Sequence, residues 1–414
     1  MTRSVPQTGP KDKTRPLGIV RLVGQIFLVA VLSATGMHIY DVEMMHWARG
    51  TSPDTHSGPW GNLQEWNIRT EQPLEYSAFE NIDRNGPFWS FGNLTSPQIR
   101  NLLIQGGCTE DQVDGLISSR IPSPSGDLIL KPDDEFLLSL DPGVRSKLYL
   151  ILSRYPNNHL QATPYFIAGG DPSVLFDVSH DSNSQAIALM KKLLYTRNGY
   201  TYFSDPEVIL RHLPSKQEQA EFIQSLTSQN TVLLRLLVRP DSDIDKPLNY
   251  WTLSMNEVRM KDLRPMLESQ KRLPEGGSIS ILYLLPPLAR EKLFTSPLPP
   301  RPGEKVLQDC HWTALNFFNP VPDPRMSDND YASRFIKEHY SEIASPGVPG
   351  DLVLLLDDQN RVVHSSVYIA DDIVFTKNGV NYAQSWVLMH VKDMIGSFSA
   401  IDPVKMVYYR RNGL

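Results

Sequence analysis

The sequence predicts an α+β protein. Apolar residues recur at helical spacing through much of residues 94–268, β-branched and leucine-rich runs at 231–238 and 352–377 read as buried strands, and a four-residue turn at 357–360 joins two of those runs as a hairpin. The order of elements is a helical unit, an α/β unit, and a C-terminal helix-then-sheet unit.

The chain has 414 residues, enough for two or three domains. With 41% hydrophobic and 21% charged residues it has the material for packed cores. A formal net charge of -6 argues against a nucleic-acid partner, whose electrostatic footprint is basic. Only two cysteines are present, Cys108 and Cys310, which excludes a disulfide framework and a Cys-rich zinc site. Residues 160–295 show no metal-ligand spacing and no glycine-rich phosphate loop, and no metal or cofactor is expected. A Cys108–Cys310 bridge would tie together segments that read as separate units.

Five basic residues, from Arg3 to Arg21, precede an uncharged stretch at 22–40, and Asp41 and Glu43 follow it. Basic before and acidic after is the polarity of a segment entering a membrane with its N-terminus inside. The stretch is just long enough to span a bilayer, but its apolar centre at 26–32 is short, and Ala34-Thr35-Gly36 offers a cleavage site. Residues 1–41 therefore read as a basic tail plus a signal peptide or membrane anchor, and the protein as exported.

Residues 42–93, rich in Gly, Pro, Trp and Asn, read as an irregular segment. Residues 94–156 form a small helical unit: Ser96-Pro97 and Thr109 through Gln112 are helix starts, and 133–140 and 143–155 are two more helices. Residues 157–295 form an α/β unit, with helices at 183–195, 205–213, 216–226 and 255–268 and strands at 231–238 and 279–285. Its His180, His212 and Asp177 stand singly and read as surface or structural groups. Residues 296–304 are a linker held extended by prolines.

Residues 305–414 carry the chemistry. Trp312, Leu315 and Phe318 share a helical face, so a helix starts near Cys310. A cysteine at that position gains from the positive end of the helix dipole and from unpaired N–H groups that can also hold an oxyanion. Pro349-Gly350-Asp351 then turns into a strand at 352–356, and 361–369 returns from the hairpin. On the returning strand His364, Ser366 and Tyr368 share one face and Ser365, Val367 and Ile369 the other. A further strand at 373–377 and a last one at 405–410 complete the sheet. A thiol held by a helix, with an imidazole on a neighbouring sheet, is the layout of nucleophilic thiol catalysis. His311 is a rival base, but an adjacent helical residue points about 100° away. His390 reads as a helix-surface residue.

Three pieces in order, Asp309-Cys310, Pro349-Gly350-Asp351-Leu352-Val353 and His364-Ser365-Ser366-Val367-Tyr368, resemble the NlpC/P60 family of papain-fold peptidases. That family reads Asp-Cys-Ser-Gly, Pro-Gly-Asp-Leu-Val and His-Val-Gly-Ile-Tyr in those places. The resemblance covers roughly residues 305–411 and implies a papain-like fold, with Cys310 as nucleophile and His364 as base. His311-Trp312 replaces the family's Ser-Gly, which puts bulky groups beside the thiol. The family's third residue, which orients the base, falls on the following strand. Asn378 is the candidate because its amide oxygen accepts an imidazole N–H, whereas a charged Lys377 cannot.

From the residues, the expected function is acyl transfer at an amide, ester or thioester by an exported protein with an activated thiol, and the resemblance makes it a cysteine hydrolase of amide bonds. The resemblance adds a bacterial cell-wall peptide as substrate and the periplasm or envelope as location. Peptide or peptidoglycan is the expected partner, with the membrane as a second if the N-terminal segment is uncleaved. Two alternatives stand beside it: an inactive papain-fold scaffold or binding protein of the envelope, and an acyltransferase using the same dyad.

Overall fold

The computed structural model describes residues 54–72, 86–122, 127–155, 157–176, 181–252, 257–298, 308–379 and 384–414. The basic tail, the apolar stretch after it, His180, Asp177 and most of the proline-rich linker lie outside the described residues. Among the described residues, no helix is long and apolar enough to cross a membrane. The fold is α+β, and the strand pairs described are antiparallel.

Strands β1 (Asp54–Gly58) and β2 (Gly61–Thr70) form a hairpin where the sequence reads as irregular. Polar residues such as Asn62, Gln64 and Asn67 have weak strand propensity, which hides β2. Its ladder with a strongly apolar strand at 229–238, from Asn62↔Leu237 to Thr70↔Gln229, recruits it into the sheet.

The helical part begins with α1 (Ser96–Gly106) and α2 (Glu110–Ser118). Both open on capping boxes, Thr95 with Gln98 and Thr109 with Gln112. The first cap thus lies one residue before the Ser96 that the sequence favours. Helices α3 (Pro142–Leu152) and α4 (Asp181–Leu193) follow, then the pair β3 (Tyr195–Arg197) and β4 (Tyr200–Phe203). Helices α5 (Pro206–His212) and α6 (Lys216–Thr227) complete this half. Trp89, Leu103, Leu148, Tyr149, Met190, Phe203 and Leu226 belong to one apolar cluster. Inside it the Tyr149 hydroxyl donates to Asp205 at 2.5 Å, with the Arg145 guanidinium 3.8 Å from the other carboxylate oxygen.

The second half is built on β5 (Gln229–Val238), α7 (Asp245–Thr252), α8 (Glu257–Lys271), β6 (Gly277–Ser280) and α9 (Pro287–Lys292). A 3-10 turn at Ile281–Leu284 stands where a strand was expected through residue 285. Then come α10 (Cys310–Leu315), α11 (Asn329–His339), β7 (Tyr340–Ile343), β8 (Leu352–Leu356), β9 (Val362–Ala370) and β10 (Ile373–Lys377). The chain ends with β11 (Trp386–His390), α12 (Val391–Phe398) and β12 (Lys405–Arg411). The sheets are β1-β2-β5-β6 and β7-β12-β8-β9-β10-β11.

One apolar cluster runs through this half, from Leu63, Leu236, Trp251 and Leu263 to Trp312, Leu315, Val367, Phe375 and Leu388. The change from the first cluster to this one falls near residue 228, so residues 157–295 contribute to both cores. Strands β5 and β11 are joined by Thr231, whose hydroxyl donates to the Leu388 carbonyl at 2.8 Å and accepts from the Leu388 N–H at 3.1 Å. The opposite face of the six-stranded sheet carries Val353, Leu355, Tyr368, Val374 and Met389, covered by Met394 and Phe398 of α12.

The Pro-Gly-Asp turn has a structural explanation. Gly350 lies at φ +107°, and a Cβ there would come 2.0 Å from the Phe318 ring, so only glycine fits. The buried Asp351 carboxylate accepts from the Gly347 and Val348 N–H groups at 2.8 and 3.1 Å. It also receives a two-pronged bond from Arg410, both contacts 2.7 Å.

Candidate active site

Helix α10 presents Cys310 at its first turn. Asp309 caps it, accepting from the Trp312 N–H at 2.7 Å. The helix is six residues long, too short to add much dipole to the sulfur. Its Trp312, Ala314 and Leu315 pack on the sheet face that carries Val367, Ile369 and Phe375. Trp386 of β11 fixes the contact by donating its indole N–H to Thr313 at 2.9 Å.

Cys310 is 6% exposed. Burial pushes its thiol up to about 11, and the nearby Asp309 charge pushes the same way. The backbone N–H dipoles of Ser365, His311 and Cys310 itself pull the other way, favouring the thiolate. Burial is the larger effect, so at neutral pH this is a thiol.

His364 is wholly buried on β9. Strand alternation puts it on the face away from α10, beneath α12: its neighbour Ser365 meets His311, while the His364 ring stacks on Phe398 at 4.1 Å. Its Nε2 bonds the Thr376 hydroxyl at 2.8 Å, and its Nδ1 has no hydrogen-bond partner among the described residues. Burial, with a smaller contribution from His311, lowers it to about 3, so the ring is neutral.

The sequence-derived grouping of Cys310, His364 and Asn378 is therefore divided by the sheet. Asn378 reaches Met389 with its amide nitrogen, 3.7 Å from the sulfur, and its buried oxygen has no partner among the described residues. The group that hydrogen-bonds the His364 ring is Thr376. The alternation along β9 was legible in the sequence. Which face receives the helix was not, because both faces of this sheet are buried.

Among the described polar residues, His311, Ser365 and Lys377 share the face of Cys310. The first is His311, whose Nδ1 lies 2.7 Å from the Ser365 hydroxyl, in contrast to its expected divergence from the site. Burial lowers its pKa. The second is Ser365, itself buried. The third is Lys377, wholly buried at the end of β10, with Nζ donating to the Gly379 carbonyl at 2.7 Å and lying 5.9 Å from the Trp386 ring centre. Burial brings its ammonium down to about 8, while Cys310 and Asp309 pull it upward. The Phe375/Lys377 alternation on a strand beside the cysteine helix was the available signal for Lys377. It went unused because a charged ammonium cannot accept a hydrogen bond.

His390 also departs from expectation. It ends β11, with Nε2 2.7 Å from Glu65 and Nδ1 3.0 Å from Asp372. The two carboxylates raise it to about 10. A recess of about 300 Å³ beside the β1–β2 turn, lined by Ser57, Gly61, Asn62, Leu236 and Lys246, contains none of these groups. Among the described residues, no three or more His, Cys, Asp or Glu side chains converge as a metal site. No family model, curated protein or solved structure matches this chain.

Proposed function

We propose that the protein is a thiol-dependent acyl-transfer enzyme, an exported amide hydrolase acting on cell-wall peptides, with Cys310 as nucleophile. The observation that carries the reading is the placement of Cys310 at the first turn of the Asp309-capped α10, beside the N–H groups of that turn and on the sheet face that also presents Ser365 and Lys377. N–H donors stabilise a thiolate, and N–H groups so placed can also receive an oxyanion. A cysteine-bearing helix on an antiparallel sheet supports a papain-like arrangement for residues 305–414. The cell-wall substrate and the envelope location come from the resemblance to NlpC/P60 peptidases.

In this reading the sulfur adds to a substrate carbonyl, the amine leaves, and water cleaves the thioester. The proton acceptor belongs on the face of Cys310, which moves the role away from His364. Purified protein and its Cys310→Ala variant, incubated with cell-wall digests, test it. New amino termini should appear with the parent and not with the variant; matching fragment profiles remove the cell-wall reading.

A second reading, an inactive scaffold, is favoured by one observation. Cys310 and Cys108 are nearly alike in burial, at 6% and 5% exposed, and burial pushes both thiols up to about 11. Iodoacetamide at neutral pH separates the two. Selective modification of Cys310 supports the enzyme, and equal sluggishness at both supports the scaffold.

A further inference from the structure

We infer that Lys377, in its amine form, is the general base that takes the proton from Cys310, so that the working pair is Cys–Lys. The inference rests on the acyl-transfer reading and names the base that reading needs.

The placement comes from β10. Phe375 and Lys377 fall on its α10 face, while Val374 and Thr376 fall on the α12 face with His364. The Phe375 ring packs 5.9 Å from Phe317, just after α10. Two residues on, the Lys377 stem is buried and its nitrogen lies over Trp386. Trp386 in turn hydrogen-bonds Thr313 and lies 6.5 Å from Trp312, both within the first turn of α10 after the cysteine. The amine is thereby held at the same end of the helix as the sulfur, and Cys310 and Asp309 are the acidic groups that act on it.

The other candidate bases are weaker. His364 is on the far face, engaged by Thr376 and Phe398. His311 has its Nδ1 committed to Ser365, which suits it to positioning β9 against α10. A lysine is usually a poor base because it stays protonated, but a buried one loses its proton readily. Burial brings Lys377 into the range where an amine accepts a proton near working pH.

The step balances with water as its one co-reactant. The Nζ lone pair takes the Sγ proton and the thiolate forms the carbon–sulfur bond. The tetrahedral oxyanion collapses, breaking the carbon–nitrogen bond, and the ammonium returns the proton to the leaving amine. The amine then deprotonates the water that cleaves the thioester, and the proton ends on the regenerated thiol.

The test is the pH profile of Cys310 alkylation by iodoacetamide, read by mass spectrometry on the intact chain. The parent should show a rise with its inflection near 8, where Lys377 loses its proton. Lys377→Met should lose that inflection and react roughly a hundredfold more slowly at pH 8, at the low end of what a positioned base contributes. Lys377→Arg keeps the cation and cannot give it up. It should lose the inflection too, and it decides the matter if the methionine variant does not fold. His364→Ala should keep the parent profile. A Lys377→Arg profile superimposable on the parent overturns the inference. Peptide hydrolysis that survives Lys377→Arg overturns it while leaving acyl transfer intact. An inflection that depends on Lys377 with no hydrolysis upholds the pair and removes the acyl-transfer reading.

Discussion

At the scale of single residues, neighbouring positions on one strand do different work. Ser365 meets the cysteine helix, and His364, one residue before it, is sealed beneath Phe398, with one ring nitrogen lacking a hydrogen-bond partner among the described residues. An unpaired buried nitrogen costs about 1–3 kcal/mol. Protonating that ring costs much more, because among the described residues no acid lies at hand to stabilise the charge. Its folded pKa, about 3, is below the ordinary 6.5, so the unfolded chain takes the proton first. The stability contributed by the neutral ring is present above pH 6.5 and is lost as pH falls toward 3. Urea denaturation across that window should show a slope that His364→Gln flattens. An unchanged slope in the variant would mean that the ring is not held neutral.

At the scale of elements, the turn that resembles a family signature is explained by packing. Residues 349–351 hold the start of β8: Gly350 passes under Phe318, and Asp351 fastens two N–H groups of the turn to Arg410 on β12. Asp351→Asn removes a charge from a buried two-pronged pair and turns one oxygen into a donor facing other donors. Breaking a buried pair costs about 3–5 kcal/mol, and the partly exposed Arg410 argues for the low end. Chemical denaturation should show a loss of about 3 kcal/mol in the variant; a change below about 1 kcal/mol would show the pair to be dispensable. Helix starts were readable to within a residue: the Thr109/Gln112 box stands as read, while the first helix is capped by Thr95 rather than Ser96. The hairpin β1–β2 was not, because its polar strand is held by β5 far along the chain.

At the scale of the whole molecule, the hairpin and the C-terminal sheet are tied by His390, whose two ring nitrogens meet Glu65 and Asp372. Here the folded pKa, about 10, lies above 6.5, so the folded state holds its proton longer. The stabilisation is full below pH 6.5 and fades as pH rises through 10. The melting temperature should therefore decline across that range in the parent and decline less in His390→Gln; parallel curves would rule out the contact as a tie. The sequence by itself determined the α+β class, the Thr109 helix cap, the strands β8, β9, β10 and β12 and the alternation along β9. These follow from local hydrogen bonding and from the fixed periods of helix and strand. The tertiary structure alone decided which sheet face receives the cysteine helix, that Lys377 and not His364 lies on it, and that a polar hairpin joins the core. In a sheet buried on both sides, hydrophobic pattern does not distinguish one face from the other, and only long-range packing does.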